Sequence, residues 1–258
     1  MTADYGKQCF EGQMLSEQLT LKAPQFFKKK VIMSESQLNY SMFNTPEAVL
    51  ENFNHIYVQF ADATEAACFY FETLTEFIES QEKKNVQRLE GVAKNLPNSR
   101  KSEFWAYNYP CYWKDIFEEN LKASFVVSLL STLEFYLKCV CQILHDGKMK
   151  ELAKYKGNFP DKVKNYLNHC IPENLSVLDW DTIYRLWRIR NVIAHNQGLC
   201  SSDRDKKLLE QFVDENDGIS MRNGWIQIES VFCKRALIKV TEFGLSLGDI
   251  IRTNLTNR

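Results

Sequence analysis

The feature that most constrains this chain is how few residues it has that could break a helix. Its 258 residues include only ten glycines and six prolines. Long stretches instead carry apolar residues at three- and four-residue spacing, which is the period of one face of an α-helix. The pattern predicts a mostly α fold in which long amphipathic helices pack into a bundle.

The starts and breaks of this pattern divide the chain into three segments. Residues 1–43 are the least helical and are predicted to form an arm with short strands. Residues 44–110 are predicted to form an N-terminal helical extension, in which a long first helix ends near residue 82. The run 96–102 breaks the helical pattern and is the predicted boundary. Residues 111–258 are predicted to form the main helical domain.

The main domain is predicted to be built around one long helix over about 113–145, which has a wide apolar arc. Its most apolar window, 123–144, contains Glu134 and Lys138, so we expect a buried helix and no membrane span. The elements predicted after it are helices over 148–155, 160–170, 177–195 and 201–213, a small β-hairpin over about 219–228 around Asn223-Gly224, and a final helix over about 230–254.

Charge and cysteine usage narrow the function classes. The formal net charge is -1, so any attraction to phosphates must come from a local cluster. Eight irregularly spaced cysteines and no leading apolar segment that resembles a signal peptide predict a cytoplasmic protein with reduced thiols. A zinc site at Cys139, Cys141 and His145 is not expected, because the two cysteines leave their helix in different directions. We expect no metal and no cofactor.

The helix predicted over 177–195 places an arginine on its apolar side. Winding it at about 100° per residue puts Arg190 near the middle of the apolar half, and Asn191 and His195 on the other side. The apolar half is formed by Trp180, Ile183, Leu186, Trp187, Ile189, Ile193 and Ala194. A buried guanidinium without an acceptor would cost on the order of several kcal/mol, so something must meet it. One alternative is an ion pair with Glu134, which could instead pair with Lys138 one turn along its own helix. The other is a phosphate, which a guanidinium matches well.

The motif RNVIAH, residues 190–195, resembles the signature of HEPN domains, in which an arginine followed by a polar residue is separated from a histidine by four residues. The run STLEFYLK, residues 131–138, is similar to the central helix of many such domains, with an acid and a lysine one turn later. The resemblance covers about residues 112–258 and leaves the first 110 residues unassigned.

The resemblance implies a HEPN-like bundle and a metal-independent endoribonuclease that works as a homodimer, with two Arg/His pairs in one cleft. Arg190 would stabilise the charged phosphorane, His195 would act on the 2′-hydroxyl or the leaving 5′-oxygen, and Asn191 would orient, with Glu134 and Lys138 in support. The products would be 2′,3′-cyclic phosphate and 5′-hydroxyl ends. Such proteins are often toxins or abortive-infection effectors that an antitoxin or regulatory partner holds inactive.

Two alternatives stay open at this point. Arg188, with six residues between it and His195, is a second choice for the catalytic arginine; the neighbouring Asn191 favours Arg190. Arg188 and Arg185 are then candidates for contact with the RNA backbone. The other function class is a non-catalytic helical module for interaction or regulation, either antitoxin-like or RNA-binding.

Overall fold

The structure, a computed structural model, describes residues 45–145, 150–171, 175–200, 206–207, 209–210 and 218–256. This part of the chain is mostly helical with one two-stranded antiparallel sheet, which confirms the predicted fold class. The predicted N-terminal arm and most of the helix predicted over 201–213 lie outside the described residues.

The described elements are numbered here in chain order. They are α1 (Pro46–Lys94), α2 (Asn98–Asn108), α3 (Glu119–Ile143), α4 (Phe159–Cys170), α5 (Trp180–Asn196), β1 (Ile219–Arg222), β2 (Trp225–Ile228) and α6 (Ser230–Thr256). A π-helical turn, Trp113–Glu118, leads into α3, and short 3₁₀ turns at Leu152–Lys154 and Leu175–Val177 precede α4 and α5.

Helix α1 begins as predicted, because the Thr45 side chain accepts a hydrogen bond from the Ala48 N–H at 3.3 Å. It ends at Lys94, well beyond the predicted end near residue 82. The prediction was wrong because Glu82, which interrupts the apolar stripe, is buried with partners: it accepts from the Tyr109 hydroxyl at 3.2 Å and pairs with Lys114 at 3.5 Å. The buried face therefore continues through this position.

The run 96–102, predicted to break the helical pattern, is mostly helical. The chain turns only at residues 95–97 and then forms α2, which the sequence pattern did not predict. None of the residues of α2 is buried. The amphipathic sequence pattern arises from the buried face of a helix, so a helix without a buried face does not show this pattern.

The core lies where α3 packs against α1, α5 and α6. The rings of Phe60 and Tyr136 stack at 4.4 Å, and those of Phe71 and Phe125 lie 4.5 Å apart, so α1 and α3 share one core. Tyr136 also donates a hydrogen bond to the Gly244 carbonyl of α6 at 3.3 Å. Residues 44–258 form one compact unit, in which the N-terminal helical extension and the main domain are packed together.

The hairpin prediction is confirmed, with β1 and β2 antiparallel. Asn223 and Gly224 connect the strands with φ of 53° and 82°, which is the left-handed backbone of a two-residue hairpin turn.

The helix predicted over 160–170 is confirmed as α4, which starts with a capping box between Asn158 and Asp161. The helix predicted over 148–155 is wrong for the residues described there, which form only the 3₁₀ turn Leu152–Lys154. Gly157, at φ 105°, ends this stretch in a backbone conformation that a helix does not allow.

One helical stretch among the described residues, 98–143, is long and apolar enough to cross a membrane by length and composition. It includes α3, and 56% of its most apolar window is buried inside the molecule. The apolar residues of α3 thus serve largely as the core of the bundle.

Candidate functional site

Helix α5 carries the predicted motif in its last turns. It begins at an Asp179 cap, whose carboxylate accepts from the Thr182 N–H at 3.1 Å, and it ends where Gln197 adopts a left-handed φ of 53°. The helix buries one face, formed by Trp180, Ile183, Leu186, Trp187, Ile189 and Val192. The arginine and the histidine of the motif therefore sit on a rigid element that the core anchors.

The helical winding predicted this face except at its C-terminal end, where Val192, which was not placed on the apolar half, is buried. Ala194, placed on the apolar half, is exposed, as are all of residues 194–197, because the last turn extends past the core. Arg190 lies between the buried positions Ile183 and Leu186 on the helix, as the winding predicted; its side chain is 18% exposed and its guanidinium contacts α3.

The Arg190 guanidinium meets three groups. Its Nη1 donates to Asn191 Oδ1 at 3.1 Å, and its Nη2 lies 3.5 Å from Ser131 Oγ and 3.7 Å from Glu134 Oε2. The predicted ion pair with Glu134 is therefore present, but it is longer than the roughly 2.7–2.9 Å of a close charge-assisted hydrogen bond. The Arg190 Nε is buried and has no acceptor among the described residues. The arginine is held in place with part of its donor capacity unused.

The Glu134 carboxylate pairs with two cations at once. Its Oε1 lies 2.7 Å from Lys138 Nζ, one turn along α3, while Oε2 faces Arg190. Both pairings that the sequence suggested for this carboxylate are thus formed together. The Glu134 side chain is 22% exposed and that of Lys138 is 44% exposed, so solvent reaches the cluster from one side.

Two aromatic rings lie behind the two cations. Lys138 Nζ lies 5.7 Å from the centre of the Phe159 ring, and Arg190 Cζ lies 5.1 Å from the centre of the Trp187 ring. The two rings stack on each other at 5.0 Å and 26°. Cation, ring, ring and cation therefore form a continuous row, in which each charge is attracted by an aromatic face. We call Lys138, Phe159, Trp187 and Arg190 the cation–aromatic row.

The sequence reasoning missed the two aromatic members of this row as site residues. Trp187 was assigned to the core; its three-residue spacing from Arg190 on one helix was the signal that could have identified the contact. Phe159 lies on α4, and no local pattern connects it with α3 or α5.

His195 lies in the exposed last turn of α5. His195 comes five positions after Arg190, which corresponds to about 140° around the helix and about 7.5 Å along it. The two side chains therefore leave the helix on different faces, as the winding predicted.

The two arginines proposed for RNA contact differ in position. Arg188 is half-buried and lies two turns before His195, on the same side of the helix. Arg185 lines a cleft of about 370 Å³ between α5 and α6, together with Arg235 and Lys239 above an apolar floor. Arg185 thus belongs to a different surface from the cation–aromatic row.

The cysteines considered for zinc are core residues. Cys139 and Cys141 are buried in α3, and burial raises the pKa of the Cys141 thiol far above its usual range. A high pKa disfavours the thiolate that a metal needs. In the parts of the chain that the structure describes, no group of three or more His, Cys, Asp and Glu side chains could hold a metal ion.

Comparisons with protein-family models, with curated proteins and with solved structures find no significant match to this chain. The likeness to HEPN domains therefore consists of one motif on α5 and one charge pattern on α3. The chemistry of the residues around Arg190 is what supports a function.

Proposed function

We propose that the chain is a metal-independent endoribonuclease of the HEPN type, acting in the cytoplasm as a toxin or an abortive-infection effector. In this reaction the 2′-hydroxyl of the RNA attacks the adjacent phosphorus, and the bond from phosphorus to the 5′-oxygen breaks. The products are a 2′,3′-cyclic phosphate and a 5′-hydroxyl end, and the proton lost from the 2′-oxygen balances the one gained by the 5′-oxygen.

The observation that supports this proposal most is the incomplete pairing of Arg190. A guanidinium kept for structure alone is usually satisfied by short, bidentate contacts with a carboxylate. Here the contact with Glu134 is 3.7 Å long and the Nε is buried without an acceptor in the described part of the chain. A phosphate offers more acceptor oxygens than one carboxylate, so it can accept a closer hydrogen bond from Nη2 than Glu134 does at 3.7 Å.

Each motif residue has a distinct role in this proposal. Arg190 stabilises the extra negative charge on the phosphorane, because its planar fork can donate to two equatorial oxygens. Asn191 orients the guanidinium through its side-chain oxygen at 3.1 Å. His195 is exposed and reaches the RNA, where an imidazole can take or give a proton near neutral pH.

A homodimer is part of the proposal. The side chains of Arg190 and His195 leave α5 about 140° apart, so a phosphate bound to one face of a single helix does not contact both residues. Two copies related by a twofold axis would bring a histidine of one chain beside an arginine of the other. One histidine could then act as the base and the second as the acid.

The test is cleavage of total RNA by the purified chain in excess EDTA. The proposal predicts cleavage by the wild type and no cleavage by His195→Ala. His55→Ala is the matched control, because His55 is also an exposed helical histidine, and its ring forms a local hydrogen bond with Gln59 at 2.8 Å. Equal loss of activity in both variants would mean that the loss does not come from the motif. Cleavage that needs magnesium would exclude this mechanism.

One feature favours the second function class, a helical interaction module. Helix α2 has no buried residue and carries Tyr107, which is 82% exposed. Tyr109, Tyr112 and Phe117, which follow along the chain, are also exposed, and the rings of Tyr112 and Phe117 lie 6.1 Å apart. Exposed aromatic patches of this kind mark binding surfaces for partners. Growth during expression separates the two classes: the ribonuclease slows growth unless His195 is replaced, whereas a pure binding module shows no dependence on His195.

A further inference from the structure

We propose that Glu134 is an intramolecular substitute for an RNA phosphate, and that Lys138 is the second phosphate-binding cation of the site. In the free protein the single carboxylate of Glu134 pairs with both Lys138 and Arg190 and leaves one net positive charge; a phosphate that binds must displace it. This inference rests on the proposed ribonuclease function, of which it defines the substrate contact and a built-in restraint.

The position of the carboxylate is the first support. Glu134 places one oxygen 2.7 Å from Lys138 Nζ and the other 3.7 Å from Arg190 Nη2, so its two oxygens bridge the two cations. A phosphodiester has two unesterified oxygens that can bridge two cations in the same way. An anion that binds both cations therefore competes with the carboxylate for the same donors.

The cation–aromatic row is the second support. The two cations contact the outer members of one aromatic stack, Lys138 through Phe159 and Arg190 through Trp187. The stack joins α4 to α5, and it gives each cation an attractive contact that does not depend on Glu134. The site therefore keeps its shape when the carboxylate moves away, which is what an exchange of one anion for another requires.

The unequal distances show which contact yields first. Lys138 and Glu134 lie one turn apart on α3 and form a close pair. The contact between Glu134 and Arg190 joins two helices and is a full ångström longer, 3.7 Å against 2.7 Å. A phosphate can thus displace Glu134 from Arg190 while the carboxylate still contacts Lys138, and then bind Lys138 as the carboxylate rotates into solvent.

The experiment measures binding and not cleavage. The probe is a fluorescent 2′-O-methylated RNA oligonucleotide, which presents the phosphates but lacks the nucleophile. Glu134→Gln keeps the shape of the side chain and removes its charge, so affinity should rise by on the order of tenfold, as expected for a unit charge about 4 Å away. The slope of log K against log salt should also steepen by about 0.7, the contribution of one further phosphate on a single strand.

Two further variants make the result specific. Glu151→Gln removes the same charge from the exposed pair with Lys154, whose atoms lie 3.6 Å apart, and should leave the affinity unchanged. Lys138→Gln, added to Glu134→Gln, should abolish the gain if Lys138 contacts the phosphate. If Glu134→Gln lowers the melting temperature too far, Glu134→Asp replaces it in the experiment. The shorter side chain withdraws the carboxylate from Arg190, so this variant should also bind the probe more tightly than the wild type.

The outcomes separate this inference from the ribonuclease itself. If the wild type cuts RNA but Glu134→Gln binds the probe no more tightly, the substitute role is wrong and the ribonuclease stands. If Glu134→Gln binds more tightly but unmodified RNA is never cut, the anion site stands and the ribonuclease is wrong. If none of the proteins binds the probe, the inference is overturned.

Discussion

Replacing Arg190 with alanine should abolish RNA cleavage and change stability little. The stabilising contacts that are lost are a long ion pair with Glu134, a cation–π contact with Trp187 and a hydrogen bond to Asn191 at 3.1 Å. At partly exposed positions the first contributes about 0.2–1 kcal/mol, the second about 0.5–1 kcal/mol and the third about 0.5–1.5 kcal/mol. Against this, the variant removes a buried Nε without an acceptor, whose burial costs about 1–3 kcal/mol. The two terms cancel to within about 1 kcal/mol.

Glu134 explains why the loss stays small. Without Arg190 it still has Lys138 at 2.7 Å, so no carboxylate is left buried and unpaired. If Arg190 were instead an obligatory structural partner, the loss would be about 3–5 kcal/mol, and Glu134→Gln would partly restore stability.

Thermal unfolding measured by circular dichroism separates these readings, because about 1 kcal/mol corresponds to about 2–4 °C for a chain of this size. We expect the melting temperature of Arg190→Ala to lie within about 4 °C of the wild type, with no cleavage. A fall of more than about 10 °C that Glu134→Gln partly reverses would make Arg190 a structural residue. A variant that melts normally and cuts RNA at the parental rate would assign the catalytic role to Arg188.

Two further predictions concern packing and thiol chemistry. Gly244→Ala should lower the free energy of unfolding by about 1–3 kcal/mol, because the new methyl group would occupy the position of the Phe60 ring. Gly91→Ala, whose methyl group would meet no neighbouring atom, should raise the free energy of unfolding by up to about 1 kcal/mol. Chemical denaturation of both variants checks this. Cys111 is exposed and should react with a thiol reagent in the native protein, whereas burial raises the pKa of Cys141, which should react only on unfolding; rapid native labelling of Cys141 would contradict this.

Local signals in the sequence predicted the local structure well. The Thr45 cap and the Asn223-Gly224 turn act through hydrogen bonds and backbone angles within a few residues, so their effect can be read from the chain. Helix α2 was missed because it buries no residue and therefore has no apolar stripe. The end of α1 was missed because it depends on contacts between residues far apart in the sequence. Glu82 is tolerated in a buried stripe only because Tyr109 and Lys114, far along the chain, meet it.

The candidate site was predicted only in part. The sequence placed Arg190 opposite His195 on α5 and suggested both partners of Glu134, because helical winding and one-turn spacing determine these relations. It did not predict that Phe159 of α4 would stack on Trp187 and so connect the two cations of the site. That contact depends on how three helices pack, which no single helical pattern contains.

The most direct test of the account is the chemistry of the RNA ends produced by the purified chain in excess EDTA. Attack by the 2′-hydroxyl predicts 2′,3′-cyclic phosphate at the upstream end and 5′-hydroxyl at the downstream end, with no such ends produced by His195→Ala. Two tests detect these ends. The upstream fragment can be ligated only after its cyclic phosphate has been removed, and the 5′-hydroxyl of the downstream fragment can be phosphorylated directly. Fragments with 3′-hydroxyl and 5′-phosphate ends, or cyclic-phosphate ends still formed by His195→Ala, would contradict the account.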